Sequence, residues 1–103
     1  MTDARFAVTA ANGDQPPLVV VSGDIDLANV DEFQETMTEA CNGSAALTVD
    51  LTGVNYCDSA AVRALFSLAA GTTLTMLVRP VGHIKTLLGI SGLDRVATVV
   101  MRG

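Results

Sequence analysis

The feature that most constrains this chain is a change of hydrophobic period after Gly23. Residues 18–23, "LVVVSG", form a short run of β-branched residues closed by a glycine. That is the pattern of a buried strand. In the next stretch, "DIDLANVDEFQETMTEACNG", Leu27, Val30, Phe33, Met37 and Ala40 or Cys41 recur every three or four residues. This spacing predicts an amphipathic helix with Asp31, Glu32 and Glu35 on its outer side. Asn42-Gly43 supplies its stop. A strand that gives way to a helix of this kind is the unit from which parallel sheets are built.

The same alternation continues to the end. "ALTVDL" within residues 45–51 predicts a further strand, and "SAAVRALFSLAAG" a helix ending at Gly71, with Val62, Leu65, Phe66 and Ala69 on one face. Residues 72–79, "TTLTMLVR", read as a strand stopped by Pro80, and "VGHIKTLLGISG" holds a short third helix. Residues 94–100, "DRVATVV", read as the last strand. Before all of these, residues 5–10, "RFAVTA", form a strand candidate, followed by the turn chemistry of "ANGDQPP". That connection is too long for a tight hairpin turn but suits an antiparallel pair. The expected order is β-β-α-β-α-β-α-β. It predicts one α/β domain over residues 1–103, with a mixed, mostly parallel five-stranded sheet. The first strand is antiparallel at an edge, and the helices lie mainly on one face.

Composition narrows the function. Half of the residues are hydrophobic and 17% are charged, with a formal net charge of −5. That is enough apolar material for a core and argues against disorder. The acidic balance disfavours nucleic acid, because the basic residues, from Arg5 to Arg102, form no cluster that could track phosphates. No apolar run reaches bilayer length, and "MTDARFAV" lacks the basic start of a signal peptide. A soluble cytoplasmic protein without membrane contact is expected. Cys41 and Cys57 fit no metal spacing and are expected as half-buried free thiols without a disulfide. Cys57 lies beside the segment discussed next, so its oxidation is expected to weaken partner binding.

That segment is "YCDSAAVRAL", residues 56–65, where strand turns into helix with Asp58 and Ser59 side by side. Ser59 is read in three ways: as a helix cap with Asp58 competing for that role, as a nucleophile, or as a modified switch. Catalysis finds little support. The flanks, Cys57 and Ala61, break the G-x-S-x-G pattern, and the single histidine, His83, does not make a triad. No nucleotide-binding loop occurs, and the acidic pair Asp24 and Asp26 of "GDID" is too small for a metal site. No cofactor, no metal and no enzymatic activity are expected.

Three pieces stand in order: "VVVSGDIDLANVDEF", "LTVDLTGVNYCDSAAVRAL" and "PVGHIKTLLGISGLDRVATVV". Together they resemble the bacterial anti-sigma factor antagonists, the STAS-domain family, over almost the whole chain. The resemblance implies a regulator of transcription that binds an anti-sigma factor, itself a serine kinase, and so frees a sigma factor. It implies phosphorylation by that kinase at the serine of the Asp-Ser pair, which is Ser59. A serine phosphatase resets the switch. The turn acid of the family falls on Asp26. The implied contact residues are Asp24, Asp26, Asp58, Ser59, Ala60 and Arg63.

The chain departs from the family at several points. Ala60 and Ala61 stand where Ser or Thr and then Gly usually follow, and Arg63 adds a charge to the first turns of the helix. The second helix reads about one turn short, and the family's C-terminal helix is not expected. "TVVM" near the end would then support a weak homodimer. Two other readings stand beside this one: a STAS scaffold or sensor module whose Ser59 is only a cap, and a small ligand- or nucleotide-binding domain.

Overall fold

The structure, a computed structural model, describes residues 3–102. Strand β1 (Ala4–Thr9) is followed by β2 (Leu18–Ile25), α1 (Val30–Cys41), β3 (Ala46–Cys57), α2 (Ser59–Ala69), β4 (Thr73–Val78), α3 (His83–Ser91) and β5 (Thr98–Met101). A short 3-10 turn, Leu93–Arg95, joins α3 to β5. The five strands form one sheet in the order β1-β2-β3-β4-β5. β1 pairs antiparallel with β2, and every later pair is parallel. This is the single α/β domain with a mixed sheet that the change of hydrophobic period predicts.

The strand order never reverses along the chain. Successive crossovers therefore step the same way across the sheet, and their helices fall on one face. Alternation along the strands shows which face. Val19 and Val21 of β2, Leu47, Val49 and Leu51 of β3, and Leu74, Met76 and Val78 of β4 are buried in one cluster. Phe33 and Met37 of α1, Ala61, Ala64 and Leu65 of α2, and Ile84 and Leu88 of α3 pack into the same cluster. Residues of the opposite parity, such as Val20, Thr48, Asp50 and Thr75, remain half-buried or exposed. A sheet whose order does not reverse also lacks a switch point, the crevice where open α/β sheets take nucleotides.

Three boundaries differ from the sequence expectation. α1 begins at Val30, so Leu27 lies in the preceding turn and is 78% exposed rather than part of the apolar stripe. β3 runs on past Leu51 to Cys57, pairing with β2 through two register shifts, between Val20 and Ser22 and between Gly23 and Asp24. Residues 94–96, expected as strand, are turn. Gly92, at φ +81°, closes α3 in the left-handed region, and Leu93 then drops into the core, fully buried. The last strand starts only at Thr98, where the chain regains the sheet edge.

One glycine is required by contact. Gly23 has φ +94°, and a Cβ there would collide with the Asp3 carbonyl. That carbonyl accepts the Asp24 N–H at 2.9 Å. The irregular end of β2 therefore depends on Gly23, and it is this end that carries Asp24 and Asp26 forward.

Candidate functional site

All parallel strands end on the same side of the sheet, so their exit loops share one rim. β2 and β3 run side by side to that rim, with Asp24 opposite Tyr56 and Ile25 opposite Cys57. Asp58 N–H donates to the Ile25 carbonyl at 3.3 Å, which ties the two exits together. Asp24, Asp26, Asp58, Ser59 and Ala60, expected as contact residues from sequence, therefore lie on two adjacent strand ends. Arg63 stands one turn further along α2, exposed.

The competition for the α2 cap is settled by geometry. Asp58 has extended backbone (φ −110°, ψ −171°), and its Oδ1 accepts the N–H of Ala60 at 3.0 Å and of Ala61 at 3.3 Å. Asp58 is the N-cap. Ser59 is the first helical residue, it is exposed, and no hydrogen bond of its hydroxyl is found among the described residues. Ala60 is half-buried and Ala61 fully buried, so the Ala61 methyl belongs to the core and not to the rim.

The β2–α1 exit is braced differently. Asn29 Oδ1 accepts the Asp26 N–H at 3.0 Å, and Asn29 Nδ2 donates to the Asp24 carbonyl at 2.9 Å. Asp26 Oδ1 accepts the Ala28 N–H at 2.9 Å. The chain is thus folded tightly between two side-chain clamps, and Leu27 at its tip points to solvent. Asn29 is a positioning residue that the sequence reading missed. The signal was the Asp-x-x-Asn spacing at the end of a strand, which suits such a closed turn.

Two further features lie on this rim. Tyr56 is 48% exposed, and its ring centroid is 6.2 Å from that of His83 at the start of α3. Arg79, just past β4, donates to the Val54 carbonyl at 2.9 Å, where β3 has run beyond its last pairing with β4. Cys57 points the other way. It is 6% exposed, and burial, with the Asp58 charge beside it, pushes its thiol up to about 11. Cys41 is also buried and free. A neutral, enclosed thiol is a poor nucleophile toward oxidants. Both thiols, expected half-buried, are buried.

Among the described residues no group of three or more His, Cys, Asp or Glu side chains could hold a metal ion, and no helix is long and apolar enough to cross a membrane. The arrangement offers an unengaged hydroxyl at a helix N-terminus, framed by carboxylates and an exposed apolar tip. Such a surface suits recognition and modification by a partner.

Comparison with known proteins agrees with this architecture. A family model described as "Mlab, STAS domain" matches residues 8–101. No match was found among curated proteins. Among solved structures, an anti-sigma factor antagonist from Mycobacterium paratuberculosis superposes with a TM-score of 0.83 at 20% identity, covering 95% of this chain and 86% of that one. A putative anti-sigma factor antagonist from Thermotoga maritima gives 0.73 at 14% identity, covering 94% and 86%. The anti-sigma factor antagonist SpoIIAA in its unphosphorylated form gives 0.58 at 14% identity, covering 89% and 97%. At these identities the likeness is one of fold.

Proposed function

The chain belongs to the STAS-domain family, and on that premise we propose that it is an anti-sigma factor antagonist. It binds an anti-sigma factor with serine kinase activity, releases a sigma factor for transcription, and is switched off by phosphorylation of Ser59. A serine phosphatase restores the binding form. The protein works in the cytoplasm and has no catalytic activity of its own. Three neighbours in fold carry the name anti-sigma factor antagonist, and that supports the general role.

The observation that carries the switch is the division of labour between Asp58 and Ser59. Because Asp58 caps α2, the Ser59 hydroxyl is free for a kinase and its modification removes no cap. A phosphate at the first helical position also sits near the unpaired N–H groups and positive end of the helix, where it is tolerated. The fold survives, while the partner surface gains about −2 charge beside Asp58 and close to Asp26. A contact built for a neutral hydroxyl then meets repulsion and a desolvation cost.

The test is affinity for the anti-sigma factor, measured beside melting temperature, together with labelling by that kinase and ATP. Ser59→Ala is expected to keep fold and binding and to abolish labelling. Ser59→Asp is expected to melt like wild type but to bind at least about a hundredfold more weakly, since an unpaired carboxylate must be desolvated in the interface. Equal binding by Ser59→Asp and wild type, with no label on Ser59, would leave Ser59 as an ordinary helical residue and sink the switch.

A further inference from the structure

Charge is segregated along this chain. From residue 6 to residue 62 there is no Lys or Arg and nine of the 11 acids; from Arg63 onward there are five of the six basic residues and one acid, Asp94. The strand order β1-β2-β3-β4-β5 turns this order along the chain into an order in space. The β1–β2 side of the molecule, with α1 packed on it, is acidic. The β4–β5 side, with α3, is basic.

The rim that holds Ser59 crosses this divide. On one side are Asp24, Asp26 and the first turn of α1 with Asp31 and Glu32. On the other are Arg79, His83 and Lys85, all exposed. The α2 start lies between them. The apolar tip of the acidic side is Leu27, 78% exposed, although the clamps of Asp26 and Asn29 hold its backbone in place. An apolar side chain kept in water on a braced turn costs little entropy to bury against a partner. Its acidic surroundings select the surface that buries it, because a pocket with acids at its mouth would be repelled.

We propose that the anti-sigma factor docks across this rim in one orientation. It seats Leu27 in an apolar pocket rimmed by Lys and Arg, and it sets acidic side chains against Lys85 and Arg79. This rests on the reading of the previous subsection and adds to it the anchor and the polarity of the interface. The sign change also gives the partner a reason to approach in only one sense: a half-turn about the docking axis would place like charges together on both sides. Ser59 then lies at the seam, and a phosphate there is repelled by the acidic side chains the partner sets against the basic half.

The experiment measures binding of each variant to the anti-sigma factor that binds wild type. Leu27→Ala is expected to lower affinity about tenfold or more with unchanged melting temperature. Ile90→Ala, which removes an equally exposed side chain at the far end of α3, is expected to have no effect. Glu32→Lys and Lys85→Glu are each expected to weaken binding, and added salt to weaken it further. Wild-type binding that is indifferent to Leu27→Ala overturns the anchor. Stronger binding by Lys85→Glu overturns the two-signed interface. If no anti-sigma factor binds wild type at all, the functional reading itself fails, an outcome distinct from both.

Discussion

Two turns on one rim start alike and end differently. At the end of β2 the chain reads Ile25-Asp26-Leu27, and at the end of β3 it reads Cys57-Asp58-Ser59. In each, a buried strand-end residue is followed by an aspartate and then by an exposed residue. In each, the aspartate Oδ1 accepts the N–H two residues on, from Ala28 at 2.9 Å and from Ala60 at 3.0 Å. After Asp58 the chain enters α2 at once, and the carboxylate also reaches the Ala61 N–H. After Asp26 it makes one more turn, clamped by Asn29, and α1 starts only at Val30 without a side-chain cap. One aspartate makes a cap and the other makes a turn. The difference decides what each presents: a helix-start hydroxyl on one side, an apolar tip on the other.

The common floor of the two turns is the pair Ile25 and Cys57, opposite each other across β2 and β3. The largest effect is expected there. Ile25 is 1% exposed, and Ile25→Ala should destabilise by about 2–5 kcal/mol, the usual cost of deleting a buried aliphatic side chain. Cys57→Ala removes one atom and should cost nearer 1 kcal/mol. Urea unfolding measures both. If the two changes cost the same, Ile25 does not carry the larger share of the packing beneath the two turns.

Cys57 sharpens the comparison through pH. Its folded-state pKa is raised from 9.0 to about 11. In the unfolded chain the thiol ionises first, so the stability it supports is intact below pH 9 and is lost as the pH rises toward 11. The two-unit gap corresponds to roughly 3 kcal/mol. Wild type should therefore lose more stability than Cys57→Ala across that window. Parallel pH curves for the two proteins would show that the thiol is not enclosed. For the same reason, labelling of Cys57 by a thiol reagent at neutral pH should be slow until the protein unfolds, and partner affinity should withstand mild oxidation.

The helix stripe of Phe33, Met37 and Cys41 was legible because burial follows the helical period, and all three are buried. Leu27 carries the same spacing backward into the turn, and spacing alone does not say where a helix starts. The signal lay in Asn29, whose side chain is consumed by the turn. β3 was cut short at Leu51 because Gly53 and the register shifts break strict alternation just where the strand continues. The false start of the last strand arose from apolar residues around Val96; Leu93 takes the core position and leaves Val96 53% exposed. For the site, the Asp-Ser pair was visible in the sequence, but the choice of cap depended on the extended backbone of Asp58 and on the two N–H groups its carboxylate reaches. The charge divide was written in the sequence too, yet it acquires meaning only with the unreversed strand order, which turns early and late into left and right.

The smallest expected effects test the comparison most directly. Asp58 makes two partly buried hydrogen bonds at the positive end of a helix, so Asp58→Ala should cost about 1 kcal/mol and raise amide exchange at Ala60 and Ala61. Asp58→Asn keeps an acceptor in the same place and should cost only a few tenths of that. Asp26 makes one exposed bond to Ala28, and the two Asn29 contacts hold that turn without it. Asp26→Ala should therefore stay within about 0.5 kcal/mol of wild type, with amide exchange at Ala28 the main change. Chemical denaturation of the three variants, read beside amide exchange, gives the ranking Asp58→Ala, then Asp58→Asn and Asp26→Ala together. Were Asp26→Ala to cost as much as Asp58→Ala, the two aspartates would be doing the same work, and the β2–α1 turn would rely on its carboxylate rather than on Asn29 to hold Leu27 out.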